Sequence, residues 1–343
     1  MKHNVKITTI IIIMFFVSML IGMAVIHNYD QYFGKTAQKI AQQENASGIN
    51  VTRPDISFVQ ETVPPPMEIK TTLDMASILT SIIIAILIAV VIFFFLSKLR
   101  ISIVLKVWFT VVVFITLAIA FSMLLAPVFK NSGLFNLFGK KILIAELIAV
   151  IAAIVLTFFK VVKRNIIVHN ATELFIYAGI AVIFVPILNV LAAAILLILI
   201  SIYDMIAVWK TGHMQKLAKF QMEEVKIFTG FFLPYANKKD KVKIKNMQVQ
   251  LKLIKSKKKQ QEFVNKQNVK VNLAILGGGD VAFPLIFIGT ILLRYGFWPA
   301  VVVALTTTLA LALLLFYSKK GKFYPAMPFL SAGCFLGLLL ILI

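Results

Sequence analysis

The chain has 343 residues, 60% of them hydrophobic and only 14% charged, with 29 phenylalanines. A soluble domain is roughly half apolar and about a quarter charged, and here the apolar residues run in blocks of about 20 or more, so a soluble enzyme is excluded and a membrane protein expected. The net charge of +21, from 35 Lys and Arg against 14 Asp and Glu, sits mostly between the blocks, where it reports orientation and anionic headgroups before it reports nucleic acid. The single Cys334 lies in the last block and removes any disulfide framework or CxxC zinc site.

Nine apolar blocks are predicted to span, at about 7–26, 75–97, 107–129, 142–159, 172–189, 191–209, 271–293, 297–317 and 324–343. The expected fold class is therefore an all-α polytopic membrane protein with nine transmembrane helices and termini on opposite sides. Block one follows Lys2 and Lys6, is long for a signal peptide core and is closed by no small-x-small cleavage site, so it reads as a retained signal anchor. The loop after it carries Asn-x-Ser/Thr triplets at Asn45 and Asn50 and the run Pro64-Pro65-Pro66, and has more acidic than basic residues, as a translocated loop would.

With the N-terminus inside, 27 of the 35 basic residues fall on the inner side and 8 on the outer. Without the sixteen lysines of the long loop the inner side still leads by 11 to 8, against the outer trio Lys130, Lys140 and Lys141. The expected topology is N-terminus cytosolic and C-terminus outside, in the cell membrane.

Three regions follow: 1–209 with six helices, a basic cytosolic loop over 210–270, and 271–343 with three helices. Within the loop, Val242 to Leu253 partly alternates, compatible with a short strand pair, and Lys255 to Lys259 is a solvated basic run. The composition better suits a flexible loop lying on anionic lipid headgroups. It lacks interleaved aromatics for nucleic-acid stacking, so no nucleic acid is expected.

Ionisable residues inside spans are costly and thus functional candidates. Glu146 and Glu173 lie near block edges and are expected to be solvated interfacial carboxylates. Asp204 precedes Lys210 by six residues and Asp280 follows Lys270 by ten, which on helical rise puts them about 9 and about 15 Å in from the same inner face, on consecutive antiparallel spans. Two carboxylates brought together in a low-dielectric site cannot both ionise, so they share a proton and titrate as a unit. Such a pair can hydrolyse a peptide: one member takes a proton from water and the other donates to the developing oxyanion, without metal, cofactor or covalent nucleophile.

Gly277, Gly278 and Gly279 precede Asp280 and allow close backbone approach, or serve simply as a packing device. Upstream, Val269 to Leu273 alternates, which fits either an extended edge able to pair with a substrate strand or a frayed helix start. At the inner end of the last block, Tyr324-Pro325-Ala326-Met327-Pro328 either leaves backbone groups free at a site or is an ordinary helix start.

Taken together, Tyr203-Asp204 in span six, the GxGD pattern Gly277-Gly278-Gly279-Asp280 in span seven and Pro325-Ala326-Met327 opening span nine resemble the presenilin and signal peptide peptidase family of intramembrane aspartyl proteases. The family pattern is YD, GxGD and PAL; this chain departs at Met327, where Leu is expected, and at Gly278, where Leu is common. The resemblance implies that Asp204 and Asp280 are the catalytic dyad, that Tyr203 shapes the surroundings of the first, and that Pro325, Ala326 and Met327 wall the site and engage substrate. It further implies single-span or signal-peptide-like membrane substrates. With no obvious accessory domain, the chain looks most like prokaryotic, especially archaeal, members, and the resemblance implies that it can act without partner subunits.

Other chemistries fit less well. No HExxH or GxSG motif is present, and His3, His27, His169 and His213 are scattered. Prepilin peptidases share GxGD but not the third motif or the span count. A proton-coupled transporter could use an intramembrane Asp pair, yet no internal repeat of Asp or broken helices is visible. A silent scaffold would tolerate Asn at both aspartates.

Overall fold

The computed structural model describes residues 5–34, 57–63, 71–98, 102–129, 134–137, 140–163, 165–211, 229–235, 272–318 and 324–343. The glycosylation triplets, the triple proline and the expected strand pair at Val242 to Leu253 lie outside them. In chain order the helices are α1 (Val5–Tyr32), the short α2 (Ser57–Thr62), α3 (Thr72–Lys98), α4 (Ser102–Leu125), α5 (Ile144–Phe158), α6 (Ile166–Phe184), α7 (Val190–Met205), α8 (Gly278–Tyr295), α9 (Phe297–Tyr317) and α10 (Met327–Leu342).

Seven of the described helices or helical runs are long and apolar enough to cross a membrane, and α10 and the described part of α3 are shorter apolar helices. Their outward faces carry large apolar side chains such as Ile151, Leu309 and Leu340, each more than half exposed, as lipid-facing surfaces do. The chain is an integral membrane protein.

The fold is not purely helical. Strands β1 (Leu134–Leu137) and β2 (Lys140–Leu143) form one antiparallel hairpin, and β3 (Gly230–Tyr235) and β4 (Asn272–Gly277) another. Extended backbone at 272–277 also shortens the seventh predicted span, whose helix starts at Gly278 rather than near 271.

The centre of the bundle is α8, which packs against α1, α6, α7, α9 and α10 as well as both strands of the second hairpin. Its buried residues run almost without a break from Val281 to Leu292, the pattern of a helix surrounded on all sides. Phe287, Phe15, Met19, Met23, Leu197 and Phe231 fill the core around it. The expected signal anchor, α1, is thus a core element, packed on α4, α6, α8 and α9.

Close approach of α9 and α10 depends on Gly333 and Gly337, one turn apart on the same face. A Cβ at Gly333 would stand 2.8 Å from the Thr307 Cα, and one at Gly337 would stand 2.7 Å from the Val303 Cα. Only hydrogen fits there. The contact fixes the start of α10, and with it Pro325, Ala326 and Met327.

Candidate active site

Helix α7 begins at a defined cap: the Asn189 side chain accepts from the Ala192 N–H at 2.7 Å. From that start Ala193, Leu197, Ser201 and Asp204 recur on one buried face, so Asp204 points into the bundle, 4% exposed, in the last turn before a π-helical segment at Ile206–Thr211. Tyr203, its neighbour, turns the other way and is half exposed. The Ser201 hydroxyl donates to the Leu197 carbonyl at 2.7 Å and meets Ser331 at 2.8 Å, joining α7 to α10 one turn from the aspartate.

The Asp204 carboxylate accepts from the Met327 N–H at 3.1 Å and from the Ala326 N–H. This gives the Pro325-Ala326-Met327-Pro328 run a physical reading. A helix start leaves its first N–H groups without partners. Pro325 and Pro328 have none to offer, and Asp204 supplies the acceptor for the two N–H groups between them. Met327 is buried at 3% exposure and Pro325 is buried beside it.

Asp280 lies in the first turn of α8, so the helical depth of about 15 Å expected from Lys270 does not hold, because the residues before Gly278 are extended. Gly277 is the N-cap, and its backbone N–H donates back to the carboxylate of Asp280, three residues on. A Cβ at Gly277 would come within 3.1 Å of the Asp280 Oδ2. The negative side chain also suits the positive end of the helix dipole. Helices α7 and α8 are in contact, and Asp204 lies near enough to Asp280 for its charge to act on it. Of the sequence-predicted residues, Asp204, Asp280, Gly277, Ala326 and Met327 are thus gathered together, while Tyr203 faces away.

Tyr177 on α6 completes this side of the site. A Cβ at Gly278 would stand 3.3 Å from its ring and hydroxyl, the ring packs edge-on against Phe231 with centroids 5.6 Å apart, and Glu173 and Asp280 both act electrostatically on its hydroxyl.

Below Tyr177 is a buried polar cluster that the sequence reading missed. Glu173, expected to be solvated, is 1% exposed and pairs with the Lys160 Nζ at 2.6 Å. Lys160 also reaches Thr172 Oγ1 and His169 Nδ1, each at 3.3 Å. It sits in a π-helical turn, Phe159–Lys163, that extends α5. Glu146 is buried as well, at 2% exposure, and accepts from the Phe58 N–H of α2. Block edges located both acids near water, but tertiary partners cover them. The signal was available in principle: Lys160, His169 and Glu173 lie close to the ends of two consecutive spans that must be neighbours.

Strand β3 was also unforeseen, although the aromatic run Gly230-Phe231-Phe232-Leu233-Pro234-Tyr235, bounded by Gly and Pro, is a strand signal. It is pinned to α6. The Asn170 Nδ2 donates to the Phe232 carbonyl and its Oδ1 accepts from the Phe232 N–H, both at 2.9 Å, and His169 Nε2 meets the Gly230 carbonyl at 2.9 Å.

Comparison with known proteins agrees with this architecture. Two structures of a presenilin family intramembrane aspartate protease, in two space groups, are similar to the chain. The first has a TM-score of 0.56 at 19% identity, covering 97% of each chain. The second has a TM-score of 0.54 at 18% identity, covering 96% of this chain and 95% of the other. No curated protein matches the chain. Residues 68–343 match the family described as signal-peptide peptidase, presenilin aspartyl protease, so that, with the fold in agreement, the chain belongs to the presenilin and signal-peptide peptidase family of intramembrane aspartyl proteases.

Proposed function

We propose that the chain cleaves peptide bonds within the transmembrane helices of other proteins, with Asp204 and Asp280 as the catalytic pair acting through a water. The observation that carries this reading is that Asp204 and Asp280 stand on packed helices, near enough for the charge of one to act on the other, one held by the N–H groups of Ala326 and Met327 and the other by that of Gly277. Backbone donors fix both carboxylates without using up every oxygen lone pair, so lone pairs remain to orient a water between them. One carboxylate takes a proton from that water as its oxygen bonds to the scissile carbonyl carbon, and the other donates a proton to the carbonyl oxygen. Collapse of the tetrahedral adduct returns protons, one of them to the departing nitrogen, and breaks the C–N bond.

A helical substrate hides its carbonyls in internal hydrogen bonds, so it must unwind first, and β4 offers a place to receive it. The Asn170 bonds take both backbone groups of Phe232, which makes Phe232 and Ile275 a non-hydrogen-bonded pair. Pro234, with no N–H, falls at the same parity. By alternation the backbone groups of Leu273 and Ile275 point away from β3, along the edge leading to Gly277 and Asp280. An unwound substrate strand pairs there by β-augmentation.

The proposal extends to nine spans, counting α3 and α10 as membrane-crossing, with the N-terminus cytosolic and the C-terminus outside, in the cell membrane. Single-span or signal-peptide-like membrane proteins are the proposed substrates, anionic headgroups the proposed contact of the basic loop, and no accessory subunit is needed. The test is incubation of the purified chain with a single-span substrate in liposomes and mapping of products by mass spectrometry. Cleavage inside the span supports the reading. Intact substrate together with proton-coupled solute flux would replace it with a transporter.

A further inference from the structure

The cluster on α5 and α6 reaches the hairpin that carries Gly277. Lys160 has three N–H donors, and Glu173 Oε1, Thr172 Oγ1 and His169 Nδ1 accept all three, at 2.6, 3.3 and 3.3 Å. A His169 Nδ1 that accepts from an ammonium carries no proton, so the ring proton is on Nε2 and is donated to the Gly230 carbonyl, at 2.9 Å. Lys160 thus selects the tautomer that grips β3. Gly230 pairs across the hairpin with Gly277, and the N–H of Gly277 is donated to Asp280. A chain of contacts therefore runs from Lys160 through His169, Gly230 and Gly277 to Asp280.

Two residues along the same strand, at Phe232, Asn170 of α6 behaves as a substitute strand residue. Its amide offers Phe232 one donor and one acceptor, as a neighbouring strand would, and closes the outer edge of β3. Helix α6 starts at a cap in which the Asn165 side chain accepts from the Ile167 N–H at 2.9 Å. Closing one edge of a two-stranded sheet leaves the other, β4, as the edge a substrate can join.

We propose that His169 and Asn170, oriented by the Lys160–Glu173 pair, are positioning residues for proteolysis: they hold β3 by its outer edge, and so set where β4 presents substrate to Asp280. This rests on the protease reading above. A residue that only stabilised the bundle would lower the yield of folded enzyme without changing which bond is cut. A residue that sets the register of β4 changes the cleavage position.

The experiment uses full-length chain in liposomes with a single-span test substrate and compares wild type with Asn170→Ala, His169→Phe and His169→Gln. Products are mapped by mass spectrometry, kcat and KM measured, and amide exchange followed in the hairpin. Displacements of about 1 Å at a reacting centre cost on the order of a hundredfold, so Asn170→Ala and His169→Phe should lose about tenfold or more in kcat and cut at additional bonds. His169→Gln, whose amide can still donate to the Gly230 carbonyl, should cut at the wild-type position and retain most of kcat. Wild-type bond choice and kcat in Asn170→Ala would overturn the proposal, and so would equal damage in His169→Gln and His169→Phe. If His169→Phe does not fold, Asn170→Ala decides alone. If wild type leaves the substrate intact and shows proton-coupled solute flux, the protease reading fails, and amide exchange still judges the grip: faster exchange in β3 of Asn170→Ala upholds it, and unchanged exchange overturns it.

Discussion

Asp204 accepts from the start of α10 in this structure and is proposed as half of the catalytic pair, and replacing it by Asn or by Ala separates the two roles. Its carboxylate takes the N–H groups of Ala326 and Met327, which stand between two prolines at the start of α10. Asn keeps a carbonyl oxygen with two lone pairs at the same place, so both donors retain an acceptor. Ala leaves both unpaired at a site where the Asp204 residue is only 4% exposed. Each buried donor left without a partner costs about 1–3 kcal/mol, so two cost about 2–6 kcal/mol, partly offset because Ala, unlike Asn, keeps no amide NH2 from water. The expected net effect is Asp204→Ala about 2–4 kcal/mol less stable than Asp204→Asn. At roughly 2 °C per kcal/mol for a large chain, that is a separation in Tm of about 4–8 °C. Both variants should be proteolytically dead. Thermal unfolding in one detergent, followed by circular dichroism, makes the comparison. Equal Tm values for the two would show that the carboxylate does not cap α10.

Three further outcomes are expected. Lys160→Met should destabilise the protein by about 3–5 kcal/mol because it strands the buried Glu173 carboxylate, whereas Lys160→Met combined with Glu173→Leu should recover most of the loss; denaturant titration of both variants checks this, and failure of the second change to rescue would contradict it. Gly337→Val should cost about 1–3 kcal/mol or more, since its Cβ alone would press on the Val303 backbone; a Tm equal to wild type would mean that α9 and α10 do not meet so closely. Gly278→Leu should lower kcat about tenfold or more by driving the Tyr177 ring, 3.3 Å from the new Cβ, against the turn that carries Asp280; single-turnover cleavage rates with saturating substrate provide the reading, and an unchanged rate would free the site from that contact.

The two aspartates and their helices were legible because a charge inside a 20-residue apolar block stands out and because the motifs carry spacing. The partners of those aspartates were not. That Ala326 and Met327 would donate to Asp204 depends on α10 docking against α7, which Gly333, Gly337 and the Ser201–Ser331 contact arrange from different parts of the chain. Helix starts at Ile166 and Gly278, against block edges at 172 and 271, differed because hydropathy reads composition and not backbone. Polar Asn165, His169 and Asn170 open a helix that hydropathy begins later, and apolar Leu273 to Leu276 form a strand that hydropathy cannot tell from a span. Glu173 and Lys160 are separated by 13 positions, and their burial is a property of the packed pair rather than of either local sequence.

The central claim is that Asp204 and Asp280 together perform the hydrolysis, and it is tested most directly by reconstituting wild type, Asp204→Asn and Asp280→Asn in lipid with one single-span substrate. The account predicts intramembrane cleavage by wild type and none by either folded variant. Cleavage at the wild-type rate by either variant would remove that aspartate from the chemistry and contradict the aspartyl mechanism.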